Sequence, residues 1–153
     1  MRSDVLNKNS NSYGGENLGL VKVPDAATYT MLAADSGKIH VCPDLTADCT
    51  LTFPTEAVGL VFEFWYGGTA ADAQDWIFTT GSDTNYFVGG AHHNDTDGEL
   101  SAVIDGNGSS NSKMSILTPE CGTWVKFVCD GLKWYVNGNI ASATNTAIVF
   151  ADQ

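Results

Sequence analysis

The dipeptide Asp130-Gly131 constrains this chain more than any other feature, because it interrupts two runs in which aromatic and β-branched residues alternate with polar ones. Upstream lies Gly122-Thr123-Trp124-Val125-Lys126-Phe127-Val128-Cys129, and downstream Leu132-Lys133-Trp134-Tyr135-Val136, closed by Asn137-Gly138. A period of two sends successive side chains to opposite faces of a strand. Asp-Gly tolerates the positive φ of a tight turn, so the segment predicts a β-hairpin with a two-residue Asp-Gly turn. Val125, Phe127 and Cys129 share one face, and Leu132, Trp134 and Val136 share another; both sets are expected in the core.

The rest of the chain reads the same way. Short strand candidates at 28–32, 38–42, 49–53, 75–80, 85–88, 99–104, 113–117 and 147–151 are separated by Gly, Asn, Asp, Ser or Pro. The longest run, 58–66, places Val58, Leu60, Phe62, Phe64 and Tyr66 on one face and Val61, Glu63 and Trp65 on the other. Only 69–75 hints at a helix, and it is too short to organise a domain. About ten short strands without a sustained 3.6-residue period predict an all-β fold: an antiparallel β-sandwich, jelly-roll-like, with an extended N-terminal arm.

At 153 residues the chain is one domain's worth. Residues 1–19 are polar and rich in Gly, Asn and Ser, and are read as the arm; residues 20–153 form the sandwich. Such an arm lacks the apolar surface to order itself, so it is either frayed or held by a neighbour. In the second case Asn17, Leu18, Leu20, Val21 and Val23 would add a strand to another subunit or to a partner's sheet edge.

The formal net charge of −11, from 18 acidic and 7 basic residues, argues against nucleic acid and anionic membrane surfaces as partners. Gripping phosphates requires clustered Lys and Arg. No apolar run reaches the roughly 20 residues that span a bilayer, and the N-terminus has no apolar stretch behind Arg2 to make a signal peptide. Cys42, Cys49, Cys121 and Cys129 permit three full disulfide pairings. Without a signal peptide the expectation is buried reduced thiols, with a Cys42–Cys49 bridge as the alternative. No Cys-x-x-Cys or Cys-x-x-His spacing suggests zinc.

Potential ligands crowd in one place, His92-His93-Asn94-Asp95-Thr96-Asp97-Gly98-Glu99. Asp95 and Asp97 supply half of a calcium loop, but the full loop spacing fails, so a solvated turn is expected and no metal or other cofactor is assigned. Adjacent histidines on a strand would point to opposite faces, which disfavours chelation. Residues 105–108 are Gly-rich but no helix follows to make a phosphate site. No Gly-x-Ser-x-Gly elbow or protease-like cysteine occurs. Glu63 and Asp75 are carboxylates that could flank a glycosidic bond, yet nothing separates them from surface acids. The expectation is a protein that is not an enzyme. Exposed aromatic rings on a β-sandwich bind sugars through their faces, and Trp65, which shares its face with Glu63, is the candidate.

Four segments together resemble a known pattern: 31–38 (Met-Leu-Ala-Ala-Asp-Ser-Gly-Lys), 51–54 (Leu-Thr-Phe-Pro), 59–64 (Gly-Leu-Val-Phe-Glu-Phe), and the hairpin from Gly122-Thr123-Trp124-Val125 to Trp134-Tyr135-Val136-Asn137-Gly138. Over roughly 27–138 the chain resembles the jelly-roll domains of bacteriophage virion proteins, namely capsid decoration (cement) proteins and some fibre tips. The shared motifs mark strands and turns, so no functional residue is carried over. The resemblance implies a non-enzymatic structural protein on the outer capsid surface of a virion, assembled in the host cytoplasm. It also implies a homotrimer that bridges capsomers, with the major capsid protein as partner. The alternative it allows is a carbohydrate- or receptor-binding tip domain of a phage fibre.

Overall fold

The computed structural model describes residues 19–98 and 101–153. Twelve strands are present among them: β1 (Leu20–Lys22), β2 (Thr28–Thr30), β3 (Ile39–Cys42), β4 (Cys49–Thr52), β5 (Val58–Tyr66), β6 (Trp76–Thr79), β7 (Phe87–Asp95), β8 (Ser101–Asn107), β9 (Lys113–Ile116), β10 (Trp124–Asp130), β11 (Trp134–Ser142) and β12 (Ile148–Ala151). A 3-10 turn, Ala33–Asp35, falls where the sequence suggests a loop. Residues 69–75 form bends. Asp72 holds that segment by accepting the Leu45 N–H (2.9 Å) and the Gln74 N–H (3.1 Å).

The strands form an all-β sandwich of two sheets, ordered β1-β3-β5-β10-β11-β7-β8 and β12-β9-β6-β4-β2. The pairing is not wholly antiparallel as expected. The pairs β1–β3, β3–β5, β2–β4, β4–β6 and β7–β11 are parallel, so both sheets are mixed, a departure from the antiparallel pairing of a jelly roll. From β1 to β6 the chain alternates between sheets at every step. Parallel neighbours require a crossover connection, and each crossover here is a strand of the opposite sheet instead of a helix. Hairpin-like antiparallel pairs take over with β7–β8 and β10–β11.

Phe53, directly after β4, is the hub of the core. It is 2% exposed, and its ring meets Trp134 at 4.3 Å and Phe127 at 4.8 Å between centroids, with Phe62, Phe64, Phe78 and Phe87 around it. These residues come from both sheets, as a sandwich requires. Trp134 is fully buried and donates its Nε1–H to Glu56 Oε1 (3.2 Å); Cys129 is buried as expected.

Leu132, expected in the core, lies outside it, and so does Val58 at the head of the apolar face of β5. The β10–β11 turn is closed by Asp130 N–H donating to Lys133 O (3.1 Å), so Gly131 and Leu132, not Asp130 and Gly131, are its central residues. Gly131 takes φ +96°, as the first central position of such a turn demands. Asp130 Oδ1 accepts the Leu132 and Lys133 N–H groups (2.8 and 2.7 Å), which holds its carboxyl below the usual range. The slip leaves Leu132 73% exposed at the tip, and Val58, opposite Asp130 beside a register shift in β10, is 83% exposed.

Candidate functional site

The outer face of the seven-stranded sheet carries the side chains that the core does not use. Strand register places Lys22, Val41, Trp65, Trp124, Asn139, His92 and Val103 side by side, one from each strand, in a row across β1-β3-β5-β10-β11-β7-β8. Most inward neighbours are buried: His40, Phe64, Val125, Ile140, Ala91 and His93 all belong to the other face. Alternation alone therefore decides which residues meet the outer face and which meet the core.

Trp65 and Trp124 are the centre of the row. Their rings stack with centroids 6.0 Å apart and planes inclined by 22°, and Trp65 is 41% exposed. Glu63 Oε1 accepts the Trp65 Nε1–H at 2.6 Å, while Lys126 Nζ lies 4.0 Å from Glu63 Oε2. A ring whose N–H is tied down is pre-oriented, so less entropy is lost when a planar partner stacks on it. On the far side, His92 Nδ1 lies 3.2 Å from Asn139 Oδ1, and Asn139 Nδ2 donates to Gly122 O at 3.4 Å. With His92 Nδ1 against Asn139 Oδ1, the ring leaves Nε2 as a second hydrogen-bonding nitrogen for a hydroxyl. Aromatic faces next to amide and imidazole hydrogen-bonding groups make a surface suited to polyhydroxylated ligands.

The ligand-rich segment divides: residues 92–95 complete strand β7, and 96–98 form the exposed bend expected of a solvated turn. Strand β7 continues to Asp95, so His92 is exposed and His93 buried, on opposite faces as the period of two predicts. His93 Nε2 lies 3.2 Å from Ser142 O in the interior. Asp95 is 7% exposed and its Oδ1 accepts the Asp97 N–H at 3.1 Å, a local turn contact. Among the described residues no group of three or more His, Cys, Asp or Glu is placed to hold a metal ion. Glu63 and Asp75 are kept apart by the fold: Glu63 lies on the outer face of one sheet, and Asp75 precedes β6 in the other. There Asp75 accepts the Thr118 N–H (3.0 Å), and burial raises its carboxyl above the ordinary range.

The arm residues divide. Asn17 and Leu18 lie outside the described residues. Leu20 and Val21 belong to β1, the edge strand that pairs with the chain's own β3, and Val23 is 3% exposed in the core. All four cysteines are free, so the Cys42–Cys49 bridge is not formed; Cys42, Cys49 and Cys129 are buried, while Cys121 is exposed with its Sγ 3.4 Å from Gly68 O.

Sequence reasoning found Trp65 but missed Trp124, Asn139 and His92 as its neighbours. The signal was incomplete, because a period of two assigns faces within a strand but not which strands stand together. No protein-family model matches the chain, and no curated protein sequence is significantly similar to it.

Proposed function

We propose that the protein is a non-enzymatic recognition domain of a bacteriophage virion, a fibre-tip module that binds glycan on the outer face of its seven-stranded sheet. The observation that carries this reading is the stacked Trp65–Trp124 pair, half-exposed and flanked by Asn139 and His92. Binding would come from ring-face contact with the apolar side of a sugar, and orientation from hydrogen bonds to the amide and imidazole. Glycan-array binding tests it. Trp65→Ala and Trp124→Ala should each weaken binding about tenfold, since stacking contributes on the order of 1 kcal/mol beyond the area it covers. Undiminished binding by both variants overturns it.

A second reading, capsid decoration, is favoured by a separate surface. Leu32, Val58 and Leu132 are 61%, 83% and 73% exposed, all at the end of the sandwich where β5 begins. An open groove of about 540 Å³, lined in part by Leu32, Phe53, Pro54 and Glu56, lies at the same end. Apolar residues clustered at one end suit contact with another protein such as a major capsid protein. A trimer bound to the assembled lattice, and not to free subunits, would stabilise the shell by mass action. Electron microscopy of virions separates the readings: density for this chain over the capsid supports decoration, and density only at the tail rejects it.

A further inference from the structure

We infer that the glycan bound along the Trp65–Trp124 row ends in an acidic sugar, whose carboxylate is held by Lys22 at the β1 edge. This rests on the glycan reading above and specifies its ligand. The row does not stop at Trp65. Val41 lies beside it on β3, and Lys22 lies beside Val41 on β1, so Lys22 is two strands, roughly 10 Å, from the tryptophan. At that end the face opens into a groove of about 240 Å³ lined by Lys22, Val23, Val41, Pro43 and Gly67. The groove is continuous with the stacking surface, because Val41 belongs to both.

Gly67 keeps this groove open. A Cβ at position 67 would lie 2.5 Å from Val41 Cγ1 and 3.3 Å from Cys42 O, so any side chain there would displace Val41. Lys22 gives the groove a positive charge. Lys38 is paired with Asp35 and Lys126 lies against Glu63, while Lys133 donates to Gly108 O. Like Lys113 and Lys133, Lys22 pairs with no acid among the described residues, and of these three it is the one that stands in the row beside Val41 and Trp65. In a chain of net charge −11 the long-range field repels anions, so an exposed, acid-free cation favours an anion only through direct contact. A charge-assisted hydrogen bond from Lys22 Nζ to a sugar carboxylate supplies that contact, while the ring of that sugar packs on Val41 and Pro43.

The test compares two immobilised oligosaccharides of equal length, one ending in a neutral hexose and the other in a hexuronic acid. The wild-type chain should bind the acid-terminated ligand about tenfold more tightly, consistent with one charge-assisted hydrogen bond. Lys22→Met keeps the apolar stem at an exposed position, and should erase this preference by bringing binding of the acid-terminated ligand down to that of the neutral one. Equal wild-type binding of the two ligands, or a preference that survives in Lys22→Met, overturns the inference. If both ligands bind equally and Trp65→Ala weakens both, the glycan reading stands and the acidic terminus falls. If neither ligand binds, both fall together. Circular dichroism on each variant confirms that it is folded.

Discussion

The two faces of the seven-stranded sheet are built from the same strands and similar residue types, yet they do different work. On β10, Val125, Phe127 and Cys129 are buried while Trp124, Lys126 and Val128 are at least partly open to solvent. On β7 the adjacent His93 and His92 divide in the same manner. The inner face is stabilised by the aromatic rings that interlock between sheets. The outer face instead carries Trp65 and Trp124 stacked on each other and partly open to solvent, the pair on which the proposed glycan binding rests.

The comparison breaks most readily at its centre. Phe53→Ala removes a ring that touches six others and should cost about 3–5 kcal/mol in urea unfolding, the range for large-to-small changes in a packed core. A loss below about 1 kcal/mol would mean that the two sheets are not joined through this residue.

A smaller effect belongs to His40, fully buried against Phe62 and Phe64 with neither ring nitrogen reaching a hydrogen-bond partner. Burial pushes its imidazole below the ordinary value of 6.5. Asp35 and the backbone of Lys38 and Glu63 oppose the shift weakly, and the Lys38 ammonium adds to it. Just below pH 6.5 the unfolded chain therefore takes up a proton that the folded chain refuses. Its contribution is complete above pH 6.5 and is lost as pH falls toward the lowered folded-state value. His40→Leu should flatten that part of the Tm-against-pH curve, and at acid pH should add about 1–3 kcal/mol by removing an unpaired polar group. An unchanged slope would assign the acid sensitivity elsewhere.

On the outer face the expected stability effects shrink further. Trp65→Ala should change the unfolding free energy by less than about 1 kcal/mol while weakening glycan binding about tenfold, the opposite pattern to Phe53→Ala. Equal losses of stability in the two variants would erase the distinction between the faces. The smallest effect is expected at the turn. Leu132→Lys should lie within about 0.5 kcal/mol of wild type in the isolated protein, because Leu132 has little to lose. If Leu132→Lys also lowers occupancy on purified capsids, the second reading gains its contact residue.

Much of this was legible in the chain because strands announce themselves locally. The run 58–66, the hairpin and the short segments between turn residues all form strands at or near the expected positions. The misreadings have local causes. Leu132 shares a period with Trp134 and Val136, but one residue of slip in the turn moves it beyond the sheet. Val58 begins the apolar face of β5, yet lies where the β5–β10 register shifts. The ligand-rich segment looked like a turn because Asp, Asn and Gly favour turns, and pairing with β8 and β11 kept it extended through Asp95.

The candidate site was legible only in part. Trp65 stood out because it alternated with core residues, whereas Lys22, Trp124, Asn139 and His92 are far apart in sequence and gave no shared signal. By itself the sequence determined the all-β class, the approximate strands and the face of most side chains, because a two-residue period is a property of the local backbone. Only the tertiary structure decided that the early strands pair in parallel by crossing between sheets, and that seven strands stand in the order that makes one row of outward residues. Strand order depends on long-range backbone pairing, and no local pattern encodes which distant strand becomes a neighbour.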